Sequence, residues 1–157
     1  MNFTIRKAQE SDTQAIAQIL QDLGWFPWVN STSQENNIKQ IQLHIAKCHA
    51  DDSHSVYVAE KVESDVVGYV AVHWLPCPFL PQLQAYVSEL FISEANRGQG
   101  IGKALLATVI SEAKSRGCSL LMLLNHKERD SYQREFYRKQ GWIERENFAN
   151  FIYPLNM

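Results

Sequence analysis

Three glycines alternate within the run Arg97-Gly98-Gln99-Gly100-Ile101-Gly102-Lys103. The whole chain has only 7 glycines in 157 residues, where average usage of about 7% would give roughly 11. Glycine is therefore concentrated at one place. The run follows a strand-like segment, Tyr86 to Ile92, and precedes a helical pattern. A helix start offers N–H groups that lack intrahelical partners, at the positive end of the helix dipole. Glycines let an anion approach that backbone closely, and Arg97 and Lys103 add positive charge. The chemistry implied is the holding of a phosphate or pyrophosphate.

Spacing narrows the kind of cradle. A P-loop requires Gly-x-x-x-x-Gly-Lys-Ser/Thr. Here Arg97 stands where the first glycine belongs and Ala104 follows Lys103, so no hydroxyl is supplied for magnesium. The dinucleotide fingerprint Gly-x-Gly-x-x-Gly also fails. The glycines are too regular, and the next strand ends in Asn125 rather than in an acidic residue for a ribose. Close packing of a helix on a strand would not need three glycines and an arginine.

Other residues of chemical interest are few. Glu89 interrupts an apolar strand, and a carboxylate there is costly unless it has a partner or lines a cleft. Alternation puts Glu89 and Phe91 on one face and Leu90 on the other. His73 and His126 are further candidate bases. Trp25-Phe26-Pro27-Trp28 forms an aromatic loop, and Trp74-Leu75-Pro76-Cys77-Pro78-Phe79 is similarly apolar. Such walls hold the apolar body of a ligand, plug a core or make a dimer contact. Cys48, Cys77 and Cys118 are an odd number with no Cys-x-x-Cys, which argues for reduced thiols and against a disulfide framework or a zinc site.

The elements that must position these residues follow from periodicity. Phe3 to Lys7 alternates as a first strand. Ser11-Asp12-Thr13-Gln14 reads as a capping box, followed by Ala15, Ile16, Ile19, Leu20 and Leu23 at helical spacing, with Gly24 as the C-terminal cap. A second helix spans about Ser33 to Ala50. Val56 to Glu60 and Val66 to Trp74 form a hairpin across Glu63-Ser64-Asp65. After the glycine run a helix reaches about Arg116, and Ser119 to Leu124 reads as a strand buried on both faces. Asp130 opens a helix that ends at Gly141, and Trp142 to Glu146 and Phe148 to Tyr153 read as two closing antiparallel strands. The order β-α-α-β-β-β-α-β-α-β-β implies an α/β fold: a mixed, mostly antiparallel sheet of about seven strands flanked by about four helices. The crossover from Ile92 to Ser119 makes those two strands parallel neighbours.

Arg97-Gly98-Gln99-Gly100-Ile101-Gly102 matches in full the pattern Arg/Gln-x-x-Gly-x-Gly/Ala. This resembles the acetyl-CoA-binding motif of the GNAT superfamily of N-acetyltransferases, and the element order is similar over the whole chain. The resemblance implies a GNAT-like fold with the CoA pyrophosphate on the backbone of Arg97, Gly98, Gln99, Gly100, Ile101, Gly102 and Lys103. It implies a bulged strand whose main chain at Leu90, Phe91 and Ile92 pairs with the pantetheine arm. Phe136-Tyr137 and Gly141-Trp142 match the next helix of the family, with Asp130 where an Asn is usual, so Ser131 is the candidate cofactor contact there. Tyr137 aligns with the tyrosine that serves the leaving thiolate. Glu89 resembles the acidic residue of diamine acetyltransferases, and whether Glu89, His73, His126 or water is the base stays open. The family builds its acceptor pocket from the connection between the first two helices and from strand-end loops, which singles out Trp25, Phe26, Trp28 and Trp74. The reaction implied is acetyl transfer from acetyl-CoA to a primary amine of a small molecule, without a metal, by direct attack in a ternary complex. Protein or peptide acetylation, and a non-catalytic CoA-binding sensor, are the alternatives.

Composition bounds the rest. The chain is expected to be a single domain over residues 1–157, with 45% hydrophobic residues. Fifteen basic against 17 acidic residues give a net charge of −2, which lacks the basic footprint of a nucleic-acid binder. No apolar run approaches the roughly 18 residues of a membrane span. No signal-peptide pattern opens the chain, so a cytoplasmic location with neither nucleic-acid nor membrane partner is expected. A homodimer is one state the resemblance allows.

Overall fold

The computed structural model describes residues 2–62 and 65–155. The chain forms two compact units, one up to Leu124 and one from Asn125 onward. The first unit is a five-stranded sheet with helices on both faces. Its strands are β1 (Phe3–Lys7), β2 (His54–Lys61), β3 (Val66–Leu75), β4 (Gln84–Ile92) and β5 (Leu120–Leu123), side by side in that order. The first three pairings are antiparallel, and β4 and β5 are parallel, as the crossover requires. Glu63 and Ser64, in the expected hairpin turn between β2 and β3, lie outside the described residues.

Helices α1 (Thr13–Leu23) and α3 (Gln34–Asp51) cover one face. Ile16 and Ile19 of α1, Ile45 of α3, Val58 of β2 and Tyr69 of β3 form its buried cluster, with Phe91 of β4 packed against it. Helix α4 (Ile101–Ser115) covers the other face, burying Ile101, Leu105, Leu106 and Val109. Val70 and Val72 of β3 are fully buried on that side. A fully buried Leu or Ile of this kind stabilises the fold by about 1.5–3 kcal/mol.

Helix ends follow the local chemistry with one correction. Gly24, at φ 66°, closes α1 in the left-handed conformation, and the Ser33 hydroxyl accepts from the Asn36 N–H at the start of α3. The capping box expected at Ser11–Gln14 is displaced. A 3-10 turn, Glu10–Asp12, precedes α1, and the Asp12 carboxylate turns back to the Gln9 N–H at 2.7 Å. It is held there by Arg6 at 2.7 Å, so it is spent on β1 rather than on the helix. Within the expected aromatic loop, Pro27 starts a one-turn helix, α2 (Pro27–Ser31), its fixed φ suiting a first helical position.

Three expectations about the later part of the chain need correction. β5 is half-buried rather than buried on both faces, because it is the edge of the sheet. In the second unit the expected helix stops after one turn, α5 (Asp130–Gln133). Glu135 takes φ 56°, a left-handed conformation that breaks a helix, and only a 3-10 turn follows at Arg138–Gln140. The two closing strands do not form, so the described residues hold five strands rather than about seven. Around Trp142–Phe148 local contacts replace a ladder. Glu144 is gathered in by Lys127, Arg138 and Tyr132, and Arg145 sits 4.0 Å from the Phe148 ring centroid. The mixed α/β class holds despite these differences in count.

Candidate active site

The start of α4 is built from backbone. Gly98 and Gly100 take φ of 75° and 82°, and Gly100 is the N-cap of α4 without any side-chain cap. A Cβ added at either would meet nothing within 4 Å. Close packing therefore does not explain these glycines; the left-handed turn does. The first intrahelical bond runs from the Ala104 N–H to the Gly100 carbonyl at 3.0 Å, so the N–H groups of Ile101, Gly102 and Lys103 have no partner within the helix. Side chains in the loop are tied down locally. Arg97 Nε–H donates to the Ile92 carbonyl at 3.3 Å, and the Gln99 amide donates to the Ala95 carbonyl at 3.3 Å. Lys103 is exposed.

The strand leading into this turn is bulged. Across β3 and β4, Ala71 faces Glu89 but Val72 faces Val87, so Ser88 is the extra residue. A bulge shifts the alternation by one. Tyr86, before it, and Glu89 and Phe91, after it, thereby all point to the α1/α3 face. β4 and β5 pair only from Gln84 to Val87. Beyond the bulge β4 is paired with β3 alone among the described residues, so its other main-chain edge from Leu90 to Ile92 has no strand partner, and there Arg97 takes the Ile92 carbonyl. Gly68 of β3 makes this geometry possible from behind. A Cβ there would lie 2.5 Å from the Ile92 side chain and 3.0 Å from the Phe91 carbonyl.

The face carrying Glu89 is built from side chains. The Tyr69 hydroxyl donates to Glu89 Oε2 at 2.5 Å. Burial first, and then the carboxylate, raise the Tyr69 phenol well above its ordinary range, so it stays a donor. Phe91 gathers the rings: Tyr69 at 5.8 Å, Trp25 at 6.0 Å and Phe26 at 5.5 Å, with Trp28 at 5.2 Å from Phe26. Trp25 and Trp28 are 39% and 60% exposed, so this patch borders solvent rather than plugging the core. The Arg97 guanidinium lies 5.9 Å from the Trp25 ring centroid and links the glycine turn to the patch.

Four of the expected residues thus come together on one face: Glu89, Trp25, Phe26 and Trp28, around Phe91. Trp74 does not join them. It is buried on the α4 face, its Nε1–H donates to Ser55 Oγ at 3.2 Å, and Arg116 stacks over it at 4.5 Å. His73 lies on the Glu89 face and its Nε2 is 3.0 Å from Ser88 Oγ. Burial, and next the neighbouring His54, lower its pKa, against the opposing pull of Glu89.

Tyr137 and Ser131 belong to the second unit. Tyr137 is half-buried between Phe136 and Trp142, and burial pushes its phenol up to about 12. It is therefore fully protonated at neutral pH. Ser131 donates to Asn125 Oδ1 at 2.9 Å. His126 is exposed and accepts from the Glu128 N–H at 3.3 Å. Arg134 and Arg138 pair with Asp130 and Glu144, at 3.1 and 2.6 Å. Sequence reading missed Tyr69, Ser88 and Gly68, whose roles depend on cross-strand register. The one available signal was that Gly68 and Tyr69 interrupt the aliphatic first part of the strand, Val66 to Val72.

The family model described as "Acetyltransferase (GNAT) family" matches residues 17–142. N-acetyltransferase 8 of Mus musculus is 29% identical over 147 residues, covering 83% of this chain and 64% of that protein. The chain spans between 53% and 65% of the length of the curated relatives it matches. Among solved structures, a transcriptional regulator from Bacillus halodurans superposes with a TM-score of 0.81 at 26% identity, covering 98% of this chain and 99% of that one. Glucosamine-6-phosphate N-acetyltransferase from Arabidopsis thaliana superposes with a TM-score of 0.76 at 20% identity, covering 98% and 100%, a likeness of fold.

Proposed function

This chain belongs to the GNAT family of acetyltransferases, and from that premise we propose that it transfers an acetyl group from acetyl-CoA to a primary amine of a small molecule. The observation that carries the reading is the bulge at Ser88. It opens the main-chain edge of β4 next to the uncapped start of α4 and turns Glu89 toward the aromatic patch. The reading treats both units as one domain, since the family match runs across both.

Gly98 to Lys103 suit the pyrophosphate, because their N–H groups are oriented and unhindered. The open edge at Leu90, Phe91 and Ile92 suits the pantetheine amides, with a backbone N–H near Ile92 as donor to the thioester oxygen. Acetyl-CoA supplies an activated carbonyl and a thiolate leaving group of pKa near 8.5. Glu89 accepts a proton from the acceptor ammonium while Tyr69 holds one of its oxygens. In this reading Tyr137 serves the departing sulfur. At a pKa of about 12 its part is a donated hydrogen bond rather than full proton transfer. The patch of Trp25, Phe26, Trp28 and Phe91 favours an amine with an apolar or aromatic body, or a cation over the rings.

A second reading has one observation in its favour. The superposed structure from Bacillus halodurans is described as a transcriptional regulator, so a CoA-binding module without catalysis is the alternative. A thiol-release assay over polyamines, aminosugars, arylalkylamines and peptides separates the two. Acetyl transfer predicts release with at least one small amine and a roughly tenfold loss of kcat in Tyr137→Phe. A sensor predicts a thermal shift with acetyl-CoA and release with none.

A further inference from the structure

A row of polar side chains leads from Glu89 to the protein surface. Glu89 and His73 are diagonal neighbours on one face of β3 and β4, since Glu89 faces Ala71 and His73 faces Tyr86. The hydroxyl of the bulge residue, Ser88, lies 3.0 Å from His73 Nε2. His73 stacks on His54 of β2, with ring centroids 5.3 Å apart and planes at 15°. His54 Nδ1 is 2.8 Å from Ser53 Oγ, which itself donates to Asp51 Oδ1 at 2.6 Å. The single hydroxyl hydrogen of Ser53 is thus committed to the carboxylate, so Ser53 Oγ accepts from His54 Nδ1–H. That leaves Nε2 of neutral His54 as an open acceptor. Both rings are half-buried, so water can reach their nitrogens and bridge them.

The row has a direction. At the inner end, burial disfavours charge on His73, and His54 opposes it as a like charge. At the outer end the Asp51 carboxylate is joined to His54 through the Ser53 hydroxyl; Asp51 is exposed, and its pKa is lowered first by the Ser53 hydrogen bonds and also by His54. Tyr86 and Glu89 on β4 also face His73, and Cys48 of α3 lies within reach of the fields of both Asp51 and Glu89.

We propose that His73 and His54, backed by Ser88, Ser53 and Asp51, are the outlet by which the acceptor amine's proton leaves Glu89 for solvent. The inference rests on the acetyl-transfer reading. A protonated amine and a thioester give an amide, a thiol and one proton. The nitrogen loses two protons as its bond to the acetyl carbon forms and the carbon–sulfur bond breaks. One proton ends on the sulfur, and the other passes from Glu89 to His73, to His54 and out. His73 and His54 act through Glu89 and are positioning residues for that transfer.

The test uses the full chain with an amine found by the thiol-release screen, and His73→Gln, whose amide keeps a partner for Ser88. In the wild type, kcat should fall as pH drops through a midpoint below the ordinary histidine value of about 6.5, because protonated His73 cannot accept. His73→Gln should lose that limb and lower kcat at neutral pH roughly a hundredfold, the low end for proton-transfer catalysis, with KM for acetyl-CoA unchanged. An active wild type whose pH profile and kcat survive His73→Gln overturns the outlet and leaves acetyl transfer standing. No thiol release with any amine overturns acetyl transfer itself. Independently of turnover, NMR of the histidine ring nitrogens should show the His73 midpoint moving up in His54→Gln. A His73 that titrates like a free imidazole and ignores His54→Gln also overturns the proposal.

Discussion

The start of α4 and the α1/α3 face of β4 adjoin through Arg97 and Trp25, yet they are made in different ways. At α4 the groups on offer are main-chain N–H donors, set by two left-handed glycines and an open helix end. On β4 they are side chains, set by one extra residue in a strand and by what lies across from it. The first kind of site depends on conformation and is indifferent to most side chains. The second depends on register, and a shift of one residue would turn Glu89 and Phe91 toward α4. Arg97 touches both, donating to the last carbonyl of β4 while lying over Trp25.

Substitutions that remove a side chain and those that change backbone conformation should therefore act on different quantities. The largest effect is expected from Glu89→Gln, which keeps a partner for Tyr69 but cannot accept a proton. Its kcat should drop by a factor of about 100 to 1,000, while the acetyl-CoA Kd from calorimetry stays as in the wild type. An equal loss in both would mean that the two regions are not separable. Gly100→Val comes next. A β-branched residue at φ 82° is strained by about 1–3 kcal/mol, and relief of that strain would swing the helix N–H groups away. The acetyl-CoA Kd should rise roughly ten- to a hundredfold. Trp28→Ala should raise the acceptor KM roughly fivefold and leave acetyl-CoA affinity alone. The smallest effect belongs to Gln99→Ala, which lies inside the glycine run but donates only to Ala95. Less than a twofold change in Kd is expected, and a large one would show that side chains there do more than the backbone.

Legibility divides along the same line. Arg97 to Lys103 could be read directly, because a left-handed turn before a helix selects glycine and a chain with few glycines exposes the choice. β1 to β4, α1, α3 and α4 were legible from periodicity, and the parallel pairing of β4 with β5 followed from crossover length. The pairing of Glu89 with Phe91 on one face was legible from alternation. Which face that is was not, because the bulge at Ser88 is set by pairing with β3, some fifteen residues away in the chain. Trp74 looked equivalent to Trp25 and Trp28 in sequence. Register placed it on the opposite face, under Arg116. The helix expected from Asp130 to Gly141 has a polar opening and a closing glycine, but Glu135 is left-handed and the ion pairs of Glu144 hold the following turn instead.

The sequence by itself determined the family, the order of elements as far as β5 and the glycine turn before α4, since each rests on local conformational preference or on short-range spacing. Tertiary structure alone decided that Tyr69 holds Glu89, that Phe91 collects the aromatic rings and that two histidines stack beside the bulge. Those contacts join residues from different strands and helices. Their geometry comes from hydrogen-bond register and core packing, which no short stretch of sequence encodes.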